Sequence, residues 1–189
     1  MSDEAIGSGY SERYFDNRST CIVNQNSGNY SLQKIDETWR PVDTATLLFI
    51  VQGDEVLLIR KKRGLGAGKI NGPGGKIDPG ETPVECVVRE IQEELVITTL
   101  DPQHCGEVRF QFVDGYSVHV HVFVASKFTG SPTETDEALP LWFLKDEIPY
   151  QEMWADDIIW LPKVLDGDLV NGRFLFDGDT LLDHEVSFS

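Results

Sequence analysis

The stretch Gly72–Ile97, GPGGKIDPGETPVECVVREIQEELVI, changes character halfway along. The first half is a glycine-rich loop. The second reads as a helix over residues 83–95, crowded with carboxylates. Thr82 fits the N-cap, Pro83 takes the first helical position, where its missing N–H costs nothing, and Glu85 completes a capping box. Val84, Val87, Val88, Ile91 and Leu95 follow the i, i+3, i+4 spacing of a buried stripe. Glu90, Glu93 and Glu94 then fall on a neighbouring face, off that stripe. Glu90 and Glu94 form a like-charge i,i+4 pair, which repels by ~0.2–0.5 kcal/mol. Arg89, a neighbour of Glu85 and Glu93, offsets part of this. Taken alone, such a face reads either as a solvated acidic surface or as a site for a hard divalent cation. Mg²⁺ takes oxygen ligands in octahedral geometry, and carboxylates on successive turns supply them.

The rest of the chain bears on that choice. Its 189 residues carry 16 Lys and Arg against 32 Asp and Glu, a formal net charge of −16. This argues against binding a nucleic acid polymer, which needs a basic face, and against anionic membranes. An anionic substrate would need positive charge from elsewhere, and a divalent cation is the obvious source. Cys21, Cys86 and Cys105 are scattered, with neither metal-knuckle spacing nor the even count of a disulfide framework. The opening MSDEAIGSGY is acidic and has no apolar core region, so no secretory signal is expected of it. No apolar run approaches the ~20 residues of a membrane span. A cytoplasmic protein is expected.

Residues 1–42 are rich in Ser, Asn, Asp and Gly, with single aromatics at Tyr10, Tyr14, Phe15, Tyr30 and Trp39. They are expected to form an extension, partly ordered or flexible. The compact domain spans residues 43–189. "TATLLFIV" and "EVLLIRKK", split by Gln52-Gly53-Asp54, predict a β-hairpin. "GLGAGKINGPGGKIDPG" is a long loop. "GEVRFQFVDG" and "SVHVHVFVASKF" alternate as paired strands with a turn near Asp114-Gly115. "LPLWFLKDEIP" holds a short strand, and "ADDIIWLPKVLDG" a second helix, broken or ended near Pro162. "NGRFLFDGDTLLDHEVSF" closes with a hairpin. Strands dominate and two helices pack on them, an α+β sandwich with mixed β-sheets. His119 and His121 share one strand face and read as structural rather than catalytic. "DGDTLLD" lacks the glycine at the sixth position and the terminal glutamate spacing of a calcium loop.

The spacing across the helix is long and sparse: Gly75, five residues, Glu81, seven residues, then Arg89-Glu90-Ile91-Gln92-Glu93-Glu94. It resembles the Nudix hydrolase signature Gly-x5-Glu-x7-Arg-Glu-U-x-Glu-Glu-x-Gly-U, where U is aliphatic. Val96 departs from it, standing where the pattern has a helix-ending Gly. The departure should alter the helix exit and not the metal face. The resemblance implies an α/β/α sandwich with a catalytic loop-helix. It also implies Mg²⁺, with Mn²⁺ as a substitute, held by Glu90, Glu93, Glu94 and the Gly74-Gly75 backbone. Glu81 and Arg89 would support them. Which carboxylate acts as base stays open, with Glu90 the first choice.

A closer resemblance runs from about Thr44 to Phe188. "KKRGLGAGKINGPGGK", "TETDEALPLWF", "IPYQEMWADDIIWLP" and "FLFDGDTLLDH" are similar to the MutT-homologue group that hydrolyses oxidised purine nucleoside triphosphates such as 8-oxo-dGTP or 2-oxo-dATP. That likeness implies a small-molecule nucleotide substrate, cleaved to the monophosphate and pyrophosphate by a monomeric enzyme. It would place Asn71, Trp154, Asp156 and Asp157 on the base. Thr46, Pro73, Phe110 and Phe176 would stand in the pocket, Lys61 and Lys76 near the phosphates, and Glu137 as a further metal ligand. Adjacent carboxylates facing one base edge need not both ionise, because like charges so close raise one pKa. A neutral Asp donates a hydrogen bond while its charged neighbour accepts. Without the resemblance, "WADD" reads as a helix start. Leu65 and Pro73 stand where the similar group has aromatics, so a less aromatic rim is expected. Two other functions stay open: Nudix hydrolysis of another nucleoside diphosphate derivative, such as a nucleotide sugar or dinucleoside polyphosphate, and non-catalytic nucleotide binding.

Overall fold

The structure, a computed structural model, describes residues 30–189. Expectations placed on Tyr10, Tyr14, Phe15 and Cys21 lie outside the described residues. In chain order the elements are β1 Asp43–Gln52, β2 Glu55–Lys61, β3 Ile70–Asn71, α1 Pro83–Leu95, β4 Thr98–Leu100 and β5 Gln103–Phe112. There follow β6 Ser117–Ala125, β7 Lys127–Thr129, β8 Ala138–Leu144, α2 Asp157–Leu165, β9 Val170–Asp177 and β10 Thr180–Phe188. The main sheet runs β10-β9-β5-β6-β1-β2-β3, with β8 also paired to β2, and β4 pairs with β7 apart from it. β1 is parallel to β6 and β5 to β9, while the other pairings are antiparallel.

The unbroken apolar runs of β1 and β2 are explained by burial on both faces. Phe49, Val56 and Leu58 pack under α2 with Trp160, Leu161 and Val164. Leu48, Ile50, Leu57 and Ile59 pack on the other side under α1 with Val87, Ile91 and Leu95. The result is the expected α/β/α sandwich. On the described part of the extension, Leu32 and Ile35 bury against Leu175, and Trp39 Nε1 donates to Gln111 Oε1 at 3.0 Å.

One departure from a regular sheet positions the site. β1 pairs with β2 only over Ile50–Gln52. Beyond that the glycine loop takes the place of β2: Leu48 N–H donates to Pro73 C=O, Thr46 N–H to Gly75 C=O and Ile77 N–H to Thr44 C=O, each at 2.9 Å. Gly74 lies so close to β1, at φ +149°, that a Cβ would stand 2.1 Å from the Thr46 carbonyl oxygen. Only glycine permits that approach.

Several expectations are corrected. The helix begins and ends where the sequence predicts, and both hydrogen bonds of the Thr82–Glu85 capping box form. Its buried set, however, is Cys86, Val87, Ile91, Glu94 and Leu95. Val84 is 46% exposed and Val88 only partly buried. The face turned to the sheet is therefore shared between apolar side chains and Glu94, which is 1% exposed and not off the stripe. Glu85 is engaged by Thr82 and not by Arg89. The long loop contains β3. The strand after the turn at Asp114-Gly115 stops at Ala125, and β7 leaves to pair with β4. Pro162 neither breaks nor ends α2, which runs on to Leu165. The bond it forgoes is to the carbonyl of Ile158, whose side chain is 58% exposed.

The helix exit is not altered by Val96 either. Val96 adopts φ 60°, ψ 31°, the left-handed cap expected of glycine, and its N–H donates to Gln92 C=O. A β-branched residue in this region is strained by ~1–2 kcal/mol. Part of the gain on changing to glycine is lost to the freer unfolded chain. Val96→Gly should therefore raise stability by about 1 kcal/mol in urea denaturation. It should leave turnover unchanged, since Val96 stands outside the pocket. A destabilised variant would show that the valine side chain outweighs its backbone strain.

Candidate active site

A pocket of about 430 Å³ opens between α1, the glycine loop, the face of β5 and β6, and the start of α2. That volume suits a nucleotide-sized molecule. Its lining includes Thr46, Lys61, Asn71, Gly74, Gly75, Lys76, Glu90, Glu94, Phe110, Glu137, Trp154, Asp156, Asp157 and Phe176, all singled out from the sequence. Pro73, Glu81, Arg89 and Glu93 are not in the lining. Pro73 is buried against β1, to which its carbonyl is bonded.

At one end the carboxylates of α1 meet the glycine loop. Glu94 Oε2 accepts from Gly74 N–H at 2.9 Å, and Glu94 Oε1 lies 3.2 Å from Lys61 Nζ. Gly75 sits against Glu90, where a Cβ would be 2.4 Å from the carboxylate. Arg89 clamps this end. It holds both oxygens of Glu81 at 2.9 Å, Glu90 at 2.7 Å and Glu93 at 3.3 Å. Arg89 keeps the Glu81 carboxyl down at about 2. Burial pushes Glu90 and Glu94 up, with Arg89 opposing at Glu90 and Lys61 at Glu94. Glu90 is also raised by Glu93, and Glu94 by Glu90.

This donor set fits a divalent cation. Partly buried acids that destabilise one another's charge gain from a cation that joins them. Glu90 and Glu94 face the pocket, whereas Glu93 is turned to Arg89 and must release it to join them. The Gly74 N–H serves Glu94, and the Gly75 carbonyl already accepts from Thr46. Glu137 lines the pocket nearby and is paired with Arg63.

At the other end stand the aromatic wall and two buried acids. Trp154 meets Phe112 and Phe176 edge-on, at ring separations of 6.0 and 5.7 Å, and Lys69 Nζ lies 4.9 Å from its centroid. Gly66, at φ +77°, lets the loop lie on the indole, since a Cβ there would be 3.0 Å from Trp154 Nε1. Asp156 is 1% and Asp157 2% exposed. Asp156 Oδ2 accepts from Trp160 Nε1 at 2.8 Å, while its Oδ1 is buried without any partner. Asp157 Oδ2 accepts from Trp154 N–H at 3.0 Å. Burial pushes the Asp156 carboxyl up to about 6, against the pull of the Trp160 indole. Burial and the neighbouring Asp156 push Asp157 well above the usual carboxylate range.

"WADD" is a helix start of an unusual kind. Asp156 occupies the N-cap position of α2 but makes no capping bond, its carboxylate being turned to Trp160. Sequence reasoning missed Trp160, which orients Asp156, along with Phe112 and Tyr116. Phe112 continues the period-two alternation from Phe110 and could have been read from it. Tyr116, whose hydroxyl donates to Asp43 at 2.9 Å, carries no local signal. Leu65, 50% exposed, stands on the rim.

A buried acidic helix, a glycine loop pinned to the first strand and a mixed sheet between two helices define a Nudix fold, and this chain belongs to that family. The NUDIX domain matches residues 40–164. The chain is 43% identical over 143 residues to the oxidized purine nucleoside triphosphate hydrolase of Danio rerio, covering 75% of this chain and 92% of that one. To the protein of the same name from Mus musculus it is 40% identical over the same shares of each chain. Among solved structures, a MutT protein from Bacillus halodurans superposes with a TM-score of 0.68 at 32% identity, over 77% of this chain and 97% of that one. Nudix hydrolases generally use a divalent metal. Among the described residues no helix is long and apolar enough to cross a membrane.

Proposed function

We propose that this protein hydrolyses oxidised purine nucleoside triphosphates, such as 8-oxo-dGTP or 2-oxo-dATP, to the monophosphate and pyrophosphate. It would act with Mg²⁺, as a monomer, to clear damaged nucleotides from the cytoplasmic pool. The observation that carries the reading is the unpartnered Oδ1 of Asp156 beside Asp157, fully buried in a pocket lined by Trp154. A buried acceptor without a protein partner at the wall of a pocket is open to a donor on a bound molecule. A purine stacked on Trp154 would present its polar edge to these two acids. The names of the relatives from Danio rerio and Mus musculus support the same substrate class.

The triphosphate would then extend towards the glycine loop. Lys61 and Lys76 line that end and offer positive charge to the phosphate oxygens. Glu90, Glu94, Glu137 and, once released from Arg89, Glu93 would hold the metal. A bound divalent cation supplies charge stabilisation at the phosphates and lowers the pKa of water. Glu90 is the first candidate for the base. It lies against Gly75, and burial raises its proton affinity towards a useful range. Water adds to a phosphorus, the phosphoanhydride bond between the α- and β-phosphates breaks, and the proton from water passes to the base. Attack at either the α- or the β-phosphorus yields the same two products. Phosphorus NMR of a purine triphosphate digest should show pyrophosphate and monophosphate rising together from the first time point. Orthophosphate appearing first would rule this reaction out.

A further inference from the structure

On the sheet face opposite the pocket, His104, Glu107 and His121 come together. The pocket takes Phe110, Phe112, Val118 and Val120 from β5 and β6, and the alternating residues point away from it. In a regular strand His104 and Glu107, three apart, would lie on opposite faces. A bulge removes that obstacle. The β5–β6 register shifts between His104 and Gly106, so His104 stands opposite Phe123 and Glu107 opposite His121. Phe123 and His121 are two apart on β6 and share a face. Gly106 holds the bulge at φ +115°, where a Cβ would lie 1.9 Å from the Val170 carbonyl oxygen. The sequence thus enforces the distortion that re-aims His104, a common use of bulges.

The potential ligand atoms of these three residues all lie within 4.8 Å of one another. The His104 and His121 rings are 5.6 Å apart between centroids. Glu107 is already oriented. Its Oε2 accepts from Arg109 at 2.7 Å and lies 2.8 Å from His119 Nε2, which leaves Oε1 turned to His121 Nδ1 at 3.6 Å. Trp39 covers His119 edge-on at 6.4 Å, while His104 is exposed and rests edge-on against Phe123 at 5.2 Å.

The geometry points to a binding site for a borderline-soft divalent transition metal, Zn²⁺ being the reference case, formed by His104, Glu107 and His121. Two imidazoles and one carboxylate suit Zn²⁺ and its neighbours, whereas Mg²⁺ prefers oxygen alone. Closing on an ion at ~2.0–2.2 Å needs only small side-chain rotations from the present spacing. Arg109 and His119 would hold the ligating carboxylate from behind, as outer partners do in metal sites. The fourth position faces solvent on the His104 side, open to water. Because the ligands come from both β5 and β6, the ion would also tie these two strands together.

Equilibrium dialysis of the full chain against Zn²⁺ in excess Mg²⁺ tests this, with thermal unfolding in parallel. One equivalent of Zn²⁺ should be retained and should raise the unfolding midpoint. His104→Ala and His121→Ala should each weaken retention at least roughly tenfold, abolish the shift in midpoint and keep Mg²⁺-supported turnover. Glu94→Gln should retain Zn²⁺ as the parent does, which separates this site from the helix carboxylates. Failure to retain Zn²⁺ in Mg²⁺, retention equal to the parent's in either histidine variant, or loss in Glu94→Gln would each overturn the assignment.

Discussion

Glu94→Gln should lower turnover at saturating Mg²⁺ by roughly two to four orders of magnitude, the equivalent of ~3–5 kcal/mol of transition-state stabilisation. The substitution is nearly isosteric. Glutamine can still accept the Gly74 N–H through its amide oxygen, so the loop should keep its seat on β1. It cannot supply the charge that Lys61 now faces at 3.2 Å and that a cation would share. Burial already penalises the Glu94 carboxylate, but the glutamine NH₂ would then face the Lys61 ammonium, so a stability loss of about 1–3 kcal/mol is expected. Turnover and unfolding midpoint should therefore part company, the first collapsing and the second falling only modestly. Glu93→Gln should also lose turnover. Turnover of Glu94→Gln equal to that of the parent at saturating Mg²⁺ would remove the helix from the chemistry.

What the sequence made legible follows from how local each signal is. The α1 boundaries rest on Thr82, Pro83 and Glu85, a contiguous code that tertiary packing had no reason to override. The glycine–glutamate spacing is equally linear. The buried side of α1 was harder to read. Helical periodicity treats valine as core and glutamate as surface, yet Val84 is exposed and Glu94 is buried against the loop at Gly74. That follows from the loop occupying the place of β2 beside β1, a pairing between distant segments that period cannot express. Pro162 misled for a similar reason, since the helix loses only one bond on an exposed turn. The cluster at His104 was hidden because a bulge reverses the face of one strand residue. His119 and His121 were visible as a pair, but their partners Glu107 and His104 lie on a different strand.

Asp156→Asn should change the ratio of kcat/KM for oxidised over normal purine triphosphates, not simply scale both. In the free protein burial raises both carboxyls, and Asp157 is raised further by its neighbour Asp156. Two buried carboxyls so close favour sharing one proton, which gives the pair one acceptor beside one donor. Asparagine can keep the bond from Trp160 Nε1 only by turning its oxygen that way, which puts an NH₂ where Oδ1 now waits. A base that needs an acceptor there would lose it, leaving its own donor unpaired at a cost of about 1–3 kcal/mol, roughly five- to 150-fold. Asp157→Asn would also fix a single state and shift the ratio. Metal affinity should barely move in either variant, because neither acid belongs to the α1 cluster. Stability gives a second readout. Both carboxyls bind protons more tightly in the folded than in the unfolded chain. Their contribution is complete below about pH 4, the ordinary range for aspartate, and is lost as pH rises through the folded values, from about 6 for Asp156 upwards. The unliganded parent should thus lose stability between about pH 4 and 7, and Asp156→Asn should flatten that decline. A selectivity ratio unchanged in both asparagine variants would reduce the pair to a helix start and remove the chief structural support for the oxidised-purine substrate.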